Sequence, residues 1–148
     1  MKDQEVIDDI FERAYKRMHR YTCAEATLQA FLELWDIPVE DHAWATGGYL
    51  GAITSSHTTC GLLIGTSIAI GIHVGRDKKG IPEQFPKERD KATRLVNRLY
   101  RRFLKKFGTT DCNKITNGFI GEDWGKNCDA CFDHVKYMML ELIEKGKI

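Results

Sequence analysis

The sequence predicts an all-α fold, a compact bundle of about five to six helices around a central apolar helix that contains glycines. Along several segments, apolar residues recur at i, i+3, i+4 and i+7, which is the spacing of one helical face. The longest apolar run, residues 62–74, is too long for a typical strand and does not alternate with polar residues. A chain of 148 residues fits one domain, so we expect residues 1–148 to fold as a single unit.

Two helices are predicted in the first third of the chain. The first has Asp3 as its N-cap and an apolar face of Val6, Ile7, Ile10, Phe11, Ala14, Tyr15 and Met18. The second begins at Thr22, where residues 22–25 fit a capping box, and stops before Pro38. A short third helix is expected from Val39 to about Thr46, followed by a glycine-rich turn over residues 47–51.

Residues 58–74 are apolar on nearly all sides, so we expect them to form the central helix. The segment contains Gly61, Gly65 and Gly71. Each glycine weakens a helix by about 1 kcal/mol. Their presence therefore predicts a close approach of neighbouring backbones that larger side chains would block.

Two further helices are predicted in the second half. One starts at Pro86 and ends at Gly108, with a buried face of Ala92, Leu95, Val96, Leu99, Tyr100, Phe103, Leu104 and Phe107. The other starts near Cys128. Arginines and lysines line the outer face of the first of these helices, and a solvated face is the preferred interpretation because the whole chain carries a net charge of only +1. We expect no nucleic-acid partner.

The N-terminus shows no signal-peptide pattern, because the charged residues 1–5 lead directly into an amphipathic helix. We therefore expect a cytoplasmic protein without a membrane span, the apolar run being too short to cross a bilayer. Static disulfides are rare in a reducing compartment. The five cysteines accordingly point to metal ligation or redox chemistry.

Four cysteines follow residues that are expected to start helices. The pairs are Thr22 with Cys23, Thr59 with Cys60, Asp111 with Cys112, and Asn127 with Cys128. Unsatisfied N–H groups and the helix dipole favour a thiolate at such positions, and the thiolate is both the nucleophile and the metal ligand. The alternative interpretation is that the cysteines are small buried hydrophobic residues.

Cys128 and Cys131 form a Cys-x-x-Cys pair, which is half of a metal knuckle or a dithiol that closes into a disulfide. A second such pair is absent, no βαβ pattern lies nearby, and Phe132 stands where c-type haem attachment requires histidine. His57 and His134 each lie three residues from a cysteine, so each could supply a ligand or lower a thiol pKa, with a surface or capping role as the alternative.

With these motifs in place, the chain resembles the family "Putative redox-active protein (C_GCAxxG_C_C)". Residues 21–26, from Tyr21 to Ala26, are similar to the first cysteine segment of the family, and Gly47 and Gly48 to its glycine-rich turn. Residues 60–65 resemble the Cys-Gly-Ala-x-x-Gly signature, with Leu62 in place of alanine. The resemblance implies that Cys112 is the third family cysteine, Cys131 the fourth and Cys128 an extra one. It implies a redox role without naming a reaction.

These observations predict a cytoplasmic redox-active protein, either an oxidoreductase or an electron-transfer protein. A thiol redox centre would use Cys23, Cys60, Cys112 and Cys131, and a metal site would use the same four with Cys128. Further cofactor contacts are expected from His57, Gly61 and Gly65. Zinc and an iron–sulfur cluster are the preferred cofactors.

Two other functions stay open from the sequence. One is a helical module that holds haem or a small molecule, with His57, His134, Trp44 or Trp124 lining its pocket. The other is a helical scaffold whose cysteines belong to the core. An electron donor, an electron acceptor or a small ligand is the expected partner, and the glycine-rich helix could also pack against a second copy in a homodimer.

Overall fold

The computed structural model describes residues 2–20, 22–53 and 56–148. Within these ranges the chain forms six α-helices and no strand, which confirms the all-α prediction. The helices are α1 (Gln4–Met18), α2 (Cys23–Leu34), α3 (Gly61–Gly75), α4 (Pro86–Phe107), α5 (Cys112–Thr116) and α6 (Trp124–Glu144). Met1 and Tyr21, which belong to the N-terminal and family-resemblance predictions, lie outside the described residues.

The glycine-containing apolar helix α3 is central, as predicted. It packs against α2, α4 and α6, and Leu62, Leu63, Ala69 and Ile70 of this helix are buried. A single cluster of buried apolar side chains includes residues from all six helices. None of the described helices is both long enough and apolar enough to cross a membrane.

Two of the three glycines in α3 explain how closely it approaches α2. A Cβ atom added at Gly65 would lie closer than 3.0 Å to the carbonyl oxygen of Ala24 and to the hydroxyl of Thr27. A Cβ added at Gly61 would lie 3.0 Å from the Cβ of Cys23. The predicted backbone approach is therefore confirmed at Gly61 and Gly65, and it is wrong at Gly71, where nothing lies within 4 Å.

The boundary between α1 and α2 differs from the predicted capping box. Thr22 is the N-cap residue of α2, but its side chain makes no capping bond. Its hydroxyl instead donates to the carbonyl oxygen of Arg17 at 2.5 Å, which closes the turn after α1. Residues 39–46 form two 3₁₀ turns, Val39–Asp41 and Ala43–Thr46, where one short helix was expected.

Helix α4 begins at Pro86 and is ended by Gly108, whose φ of 74° is the left-handed conformation that glycine adopts readily, so both predicted ends are confirmed. Its buried face is narrower than predicted. Leu95, Leu99 and Phe103 are buried, whereas Tyr100 and Leu104 are exposed.

The start of α6 was predicted too late. The helix begins at Trp124 rather than near Cys128. Asn127 does not act as a cap, because its side-chain amide donates to the carbonyl oxygen of Ile115 at 3.0 Å and thereby ties α6 to α5.

Candidate functional site

Three of the five cysteines lie at helix starts. Cys23 and Cys112 are the first residues of α2 and α5, and Cys60 is the N-cap residue of α3. The carboxylate of Asp111 caps α5 by accepting the N–H of Asn113 at 3.0 Å. The prediction for Cys128 is wrong, since this residue lies in the second turn of α6.

A short antiparallel bridge fixes Cys60 relative to Cys112. Thr59 and Asp111 are paired in this bridge. The N–H of Cys60 donates to the carbonyl oxygen of Thr110 at 2.7 Å, and the N–H of Cys112 donates to that of Thr58 at 3.0 Å. The starts of α3 and α5 are therefore held side by side by backbone hydrogen bonds rather than by side-chain packing alone.

Four cysteines line one small cavity, which we call the cysteine cavity. Cys23, Cys60, Cys112 and Cys128 come from α2, the N-cap of α3, α5 and α6 respectively. The other lining residues are Gly51, Ala52, Gly61, Leu62, Ile115, Thr116 and Phe119. The cavity volume is about 20 Å³, which is close to the room that one water molecule needs.

Cys131, the fourth cysteine implied by the family resemblance, does not line the cysteine cavity. It is 1% exposed and belongs to the apolar core. It nevertheless lies near the other thiols. Negative charge on Cys60, Cys128 or Cys23 therefore raises the pKa of the Cys131 thiol. The structure thus brings all five cysteines into one region, with four of them lining the cavity and Cys131 in the apolar core.

The pKa of every one of the five thiols is raised, which corrects the expectation that helix starts would favour thiolates. Burial is the largest cause in each case. Burial raises the pKa of Cys60 to about 12, although the backbone N–H groups of Leu62 and Leu63 act in the opposite direction. Burial and the neighbouring charges of Cys112 and Asp129 raise the pKa of Cys128 to about 11. All five sulfurs are therefore protonated thiols at neutral pH in this conformation.

A second cavity of about 20 Å³ adjoins the cysteine cavity, and Cys23 and Cys128 line this cavity as well. We call it the entry cavity. Its other lining residues are Met18, His19, Phe119, Trp124 and Gly125. Two of the five cysteines therefore face both cavities.

His19, to which the sequence assigned no role, belongs to a polar group at the entry cavity. Its Nε2 lies 3.6 Å from Oδ1 of Asp129, the residue that follows Cys128. The hydroxyl of Tyr15 donates to Oδ2 of the same carboxylate at 3.1 Å. No local motif could have identified this group, because it joins the end of α1 to α6 across the length of the chain.

The two histidines selected from the sequence lie elsewhere. His57 is exposed and is not helical, so it does not share a helix face with Cys60. His134 lies in α6 and packs edge-on against Phe107 of α4, with ring centroids 5.4 Å apart. Burial lowers its pKa. Gly61 lines the cysteine cavity, while Gly65 serves the contact with α2, and the cofactor contacts of His57, Gly61 and Gly65 stay predictions.

The described residues contain no group of three or more histidine, cysteine, aspartate or glutamate side chains that is placed to hold a metal ion. A zinc or iron–sulfur site at Cys23, Cys60, Cys112, Cys128 and Cys131 stays a prediction. The cysteine cavity is far smaller than the pockets of roughly 300–1,000 Å³ that enclose small molecules.

A larger cavity of about 770 Å³ lies away from the cysteines, where the ends of α2 and α3 meet the start of α4. Trp35, Ile72 and Phe85 are among its lining residues, and no cysteine reaches it. Its volume suits a small molecule, but none of the residues predicted for such a pocket lines it. Its size alone does not define a reaction.

A comparison with known protein families decides where the chain belongs. The sequence profile of the family "Putative redox-active protein (C_GCAxxG_C_C)" matches residues 21–142. The chain belongs to this family. The match includes all five cysteines and every residue that lines the cysteine cavity. No curated protein and no solved structure matches the chain. In this member of the C_GCAxxG_C_C family, the five thiols are the groups best suited to redox chemistry.

Proposed function

We propose that this protein is a thiol–disulfide redox protein whose cavity cysteines store two electrons. The observation that carries the proposal is the convergence of Cys23, Cys60, Cys112 and Cys128, from four separate elements, on one small cavity. All five cysteines are free thiols in this structure. In the proposed reaction, this arrangement of free thiols corresponds to the reduced form.

The reaction we propose is exchange with a substrate disulfide. A cysteine thiolate attacks one substrate sulfur, which forms a mixed disulfide and releases the first substrate thiolate. A second cysteine thiolate then attacks the protein sulfur of the mixed disulfide, and the second substrate thiolate leaves. The protein gains one disulfide bond. Each released thiolate takes up a proton that came from a cysteine, so two cysteine thiols are oxidised while one disulfide is reduced to two thiols.

The electrostatics of the cluster support storage of the electrons in the reduced state. Because burial and neighbouring charge raise the thiol pKa values, few thiolates exist at neutral pH and unspecific oxidation is slow. The cluster is therefore stable as thiols until a disulfide substrate reaches an accessible sulfur.

A count of thiols after exchange tests the proposal. Protein purified without oxygen would be equilibrated with oxidised glutathione, denatured, alkylated and weighed by mass spectrometry. We expect five alkylated cysteines before treatment and three afterwards, with the other two in one intramolecular disulfide. Five alkylated cysteines after treatment would contradict the proposal. Metal analysis and a visible spectrum of the same sample test the zinc and iron–sulfur alternative directly.

A further inference from the structure

The two cysteines that face the entry cavity differ from the other three in their accessibility. Cys23 and Cys128 are half-buried, whereas Cys60, Cys112 and Cys131 are buried. A substrate disulfide has to reach one sulfur before any exchange begins, and nucleophilic attack needs access as well as a thiolate. In this structure the first sulfur reached is therefore that of Cys23 or Cys128.

The packing of these two side chains separates their roles. Cys23 packs against the apolar core, and its Cβ lies opposite Gly61 at the start of α3. Cys128 is not part of the core cluster. The thiol of Cys128 is thus better placed to meet a substrate, and Cys23 lines the same two cavities.

The polar group beside Cys128 supplies a proton acceptor. His19 lines the entry cavity together with both thiols, and its side chain is 46% exposed. The hydroxyl of Tyr15 donates to Oδ2 of Asp129 at 3.1 Å, while Oδ1 is buried, accepts no hydrogen bond and lies 3.6 Å from Nε2 of His19. A carboxylate that orients an imidazole and stabilises its protonated form is the arrangement by which histidine activates a nucleophile.

We propose that Cys128 is the attacking thiol, that Cys23 is the resolving thiol, and that His19 accepts the proton of Cys128 while Asp129 orients the imidazole. This inference rests on the proposed thiol–disulfide function and assigns the residues that perform it. His19 takes the proton from Cys128 Sγ, the thiolate attacks a substrate disulfide, and the imidazolium returns the proton to the departing substrate thiolate. Cys23 then attacks the sulfur of Cys128 to form the Cys23–Cys128 disulfide and release the second substrate thiol.

The titratable groups that line the entry cavity with His19, or adjoin it, include residues of three elements. Tyr15 belongs to α1, Cys23 to α2, and Cys128, Asp129 and Asp133 to α6. Asp133 acts on this group through the charge that it places near Tyr15.

Peptide mapping of the oxidised protein tests the pair. After equilibration with oxidised glutathione we expect a disulfide between the peptides that contain Cys23 and Cys128. Cys128→Ser should lose this disulfide, and Cys131→Ser should keep it. A disulfide that includes Cys131, or one that survives in Cys128→Ser, would overturn the assignment while leaving the thiol–disulfide function intact. A wild-type protein that forms no disulfide at all would instead contradict the proposed function.

The rate of alkylation by iodoacetamide tests His19 without any disulfide substrate. At neutral pH we expect Cys128 to react faster than the other four cysteines, and His19→Gln to slow this reaction at least about tenfold. Asp129→Asn should slow it as well, and Asp129→Glu should restore part of the rate. His42→Gln, on a histidine outside the entry cavity, is the control, and thermal unfolding monitors the fold of every variant. Equal rates in wild type, His19→Gln and His42→Gln would overturn the role of His19.

Discussion

Cys60 and Cys112 each donate the backbone N–H across the bridge between Thr59 and Asp111, to the carbonyl oxygens of Thr110 and Thr58 respectively. This reciprocal pair of hydrogen bonds places the N-cap of α3 beside the first residue of α5. Backbone hydrogen bonds therefore set the spacing between the main chains of Cys60 and Cys112. The backbone of the bridge consequently positions two of the four cysteines that line the cysteine cavity.

The close contact of Gly65 with α2 predicts a large difference between two glycine substitutions. Gly65→Ala should destabilise the protein by roughly 2–3 kcal/mol, because its Cβ would overlap the carbonyl oxygen of Ala24. Gly71→Ala in the same helix meets nothing within 4 Å and should stabilise it by up to about 1 kcal/mol. Urea unfolding measures both. Equal effects of the two substitutions would contradict the packing of α2 on α3.

The raised thiol pKa values predict a loss of stability at alkaline pH. Thiols with a folded pKa above the unfolded value near 9 bind their protons more tightly in the folded state, so the stability they contribute is complete below pH 9. It falls as the pH rises toward about 11 for Cys128 and about 12 for Cys60, because the unfolded chain ionises first.

Urea unfolding under reducing conditions at pH 8 and pH 10 measures this effect. We expect a smaller free energy of unfolding at the higher pH, and a weaker pH dependence in Cys60→Ala, which serves as the comparison because it removes one buried thiol. The same pH dependence in both proteins would mean that the thiol of Cys60 does not have the raised pKa.

Asp111 joins the cap of α5 to the bridge, so its removal should both destabilise the protein and expose a thiol. Asp111→Ala should cost about 1 kcal/mol, because the N–H of Asn113 loses its acceptor. Native alkylation of Cys112 should become faster. Asp3→Ala is the matched control, since Asp3 is also an N-cap residue but its side chain makes no capping bond. A cost for Asp3→Ala as large as that for Asp111→Ala would contradict this interpretation.

Glu141 links α6 to α4, and its lowered pKa predicts that the protein loses stability in acid. Arg102 donates to its carboxylate at 2.5 Å and Lys145 at 2.8 Å. These hydrogen bonds, with that of Lys145 the larger cause, lower the pKa of Glu141 to about 2. The stability from this group is therefore complete above its ordinary pKa near 4.5 and is lost as the pH falls toward 2. Between pH 5 and pH 3, the free energy of unfolding should decrease less in Glu141→Gln than in the wild type. An equal decrease in both proteins would contradict the contribution of Glu141.

The helices could be predicted because their signals are local. Pro86 and Gly108 mark the ends of α4. The apolar spacing of α1 and the glycines of α3 can be recognised in the sequence without any knowledge of the fold. The start of α6 could not, because Gly125 in its first turn is typical of a loop and Asn127 resembles a cap while its side chain binds α5.

The site was predictable only in its residue types. The motifs identified the cysteines, but their pKa values depend on burial, which the order of residues along the chain does not reveal. The isolated bridge at Thr59 and Asp111 has no periodicity to detect. The contact of Tyr15 with Asp129 spans 114 positions, so the grouping of His19, Tyr15 and Asp129 is visible only in three dimensions.

The most direct test of the central claim is a redox titration of the protein against mixtures of a dithiol and its disulfide, with the thiol content measured at each potential. A two-electron centre predicts that two thiols disappear together, with a slope of about 30 mV for each tenfold change in the ratio of oxidised to reduced protein. Retention of all five thiols over the whole range, or a slope of about 60 mV that indicates a one-electron centre, would contradict the claim that the cavity cysteines store two electrons as a dithiol.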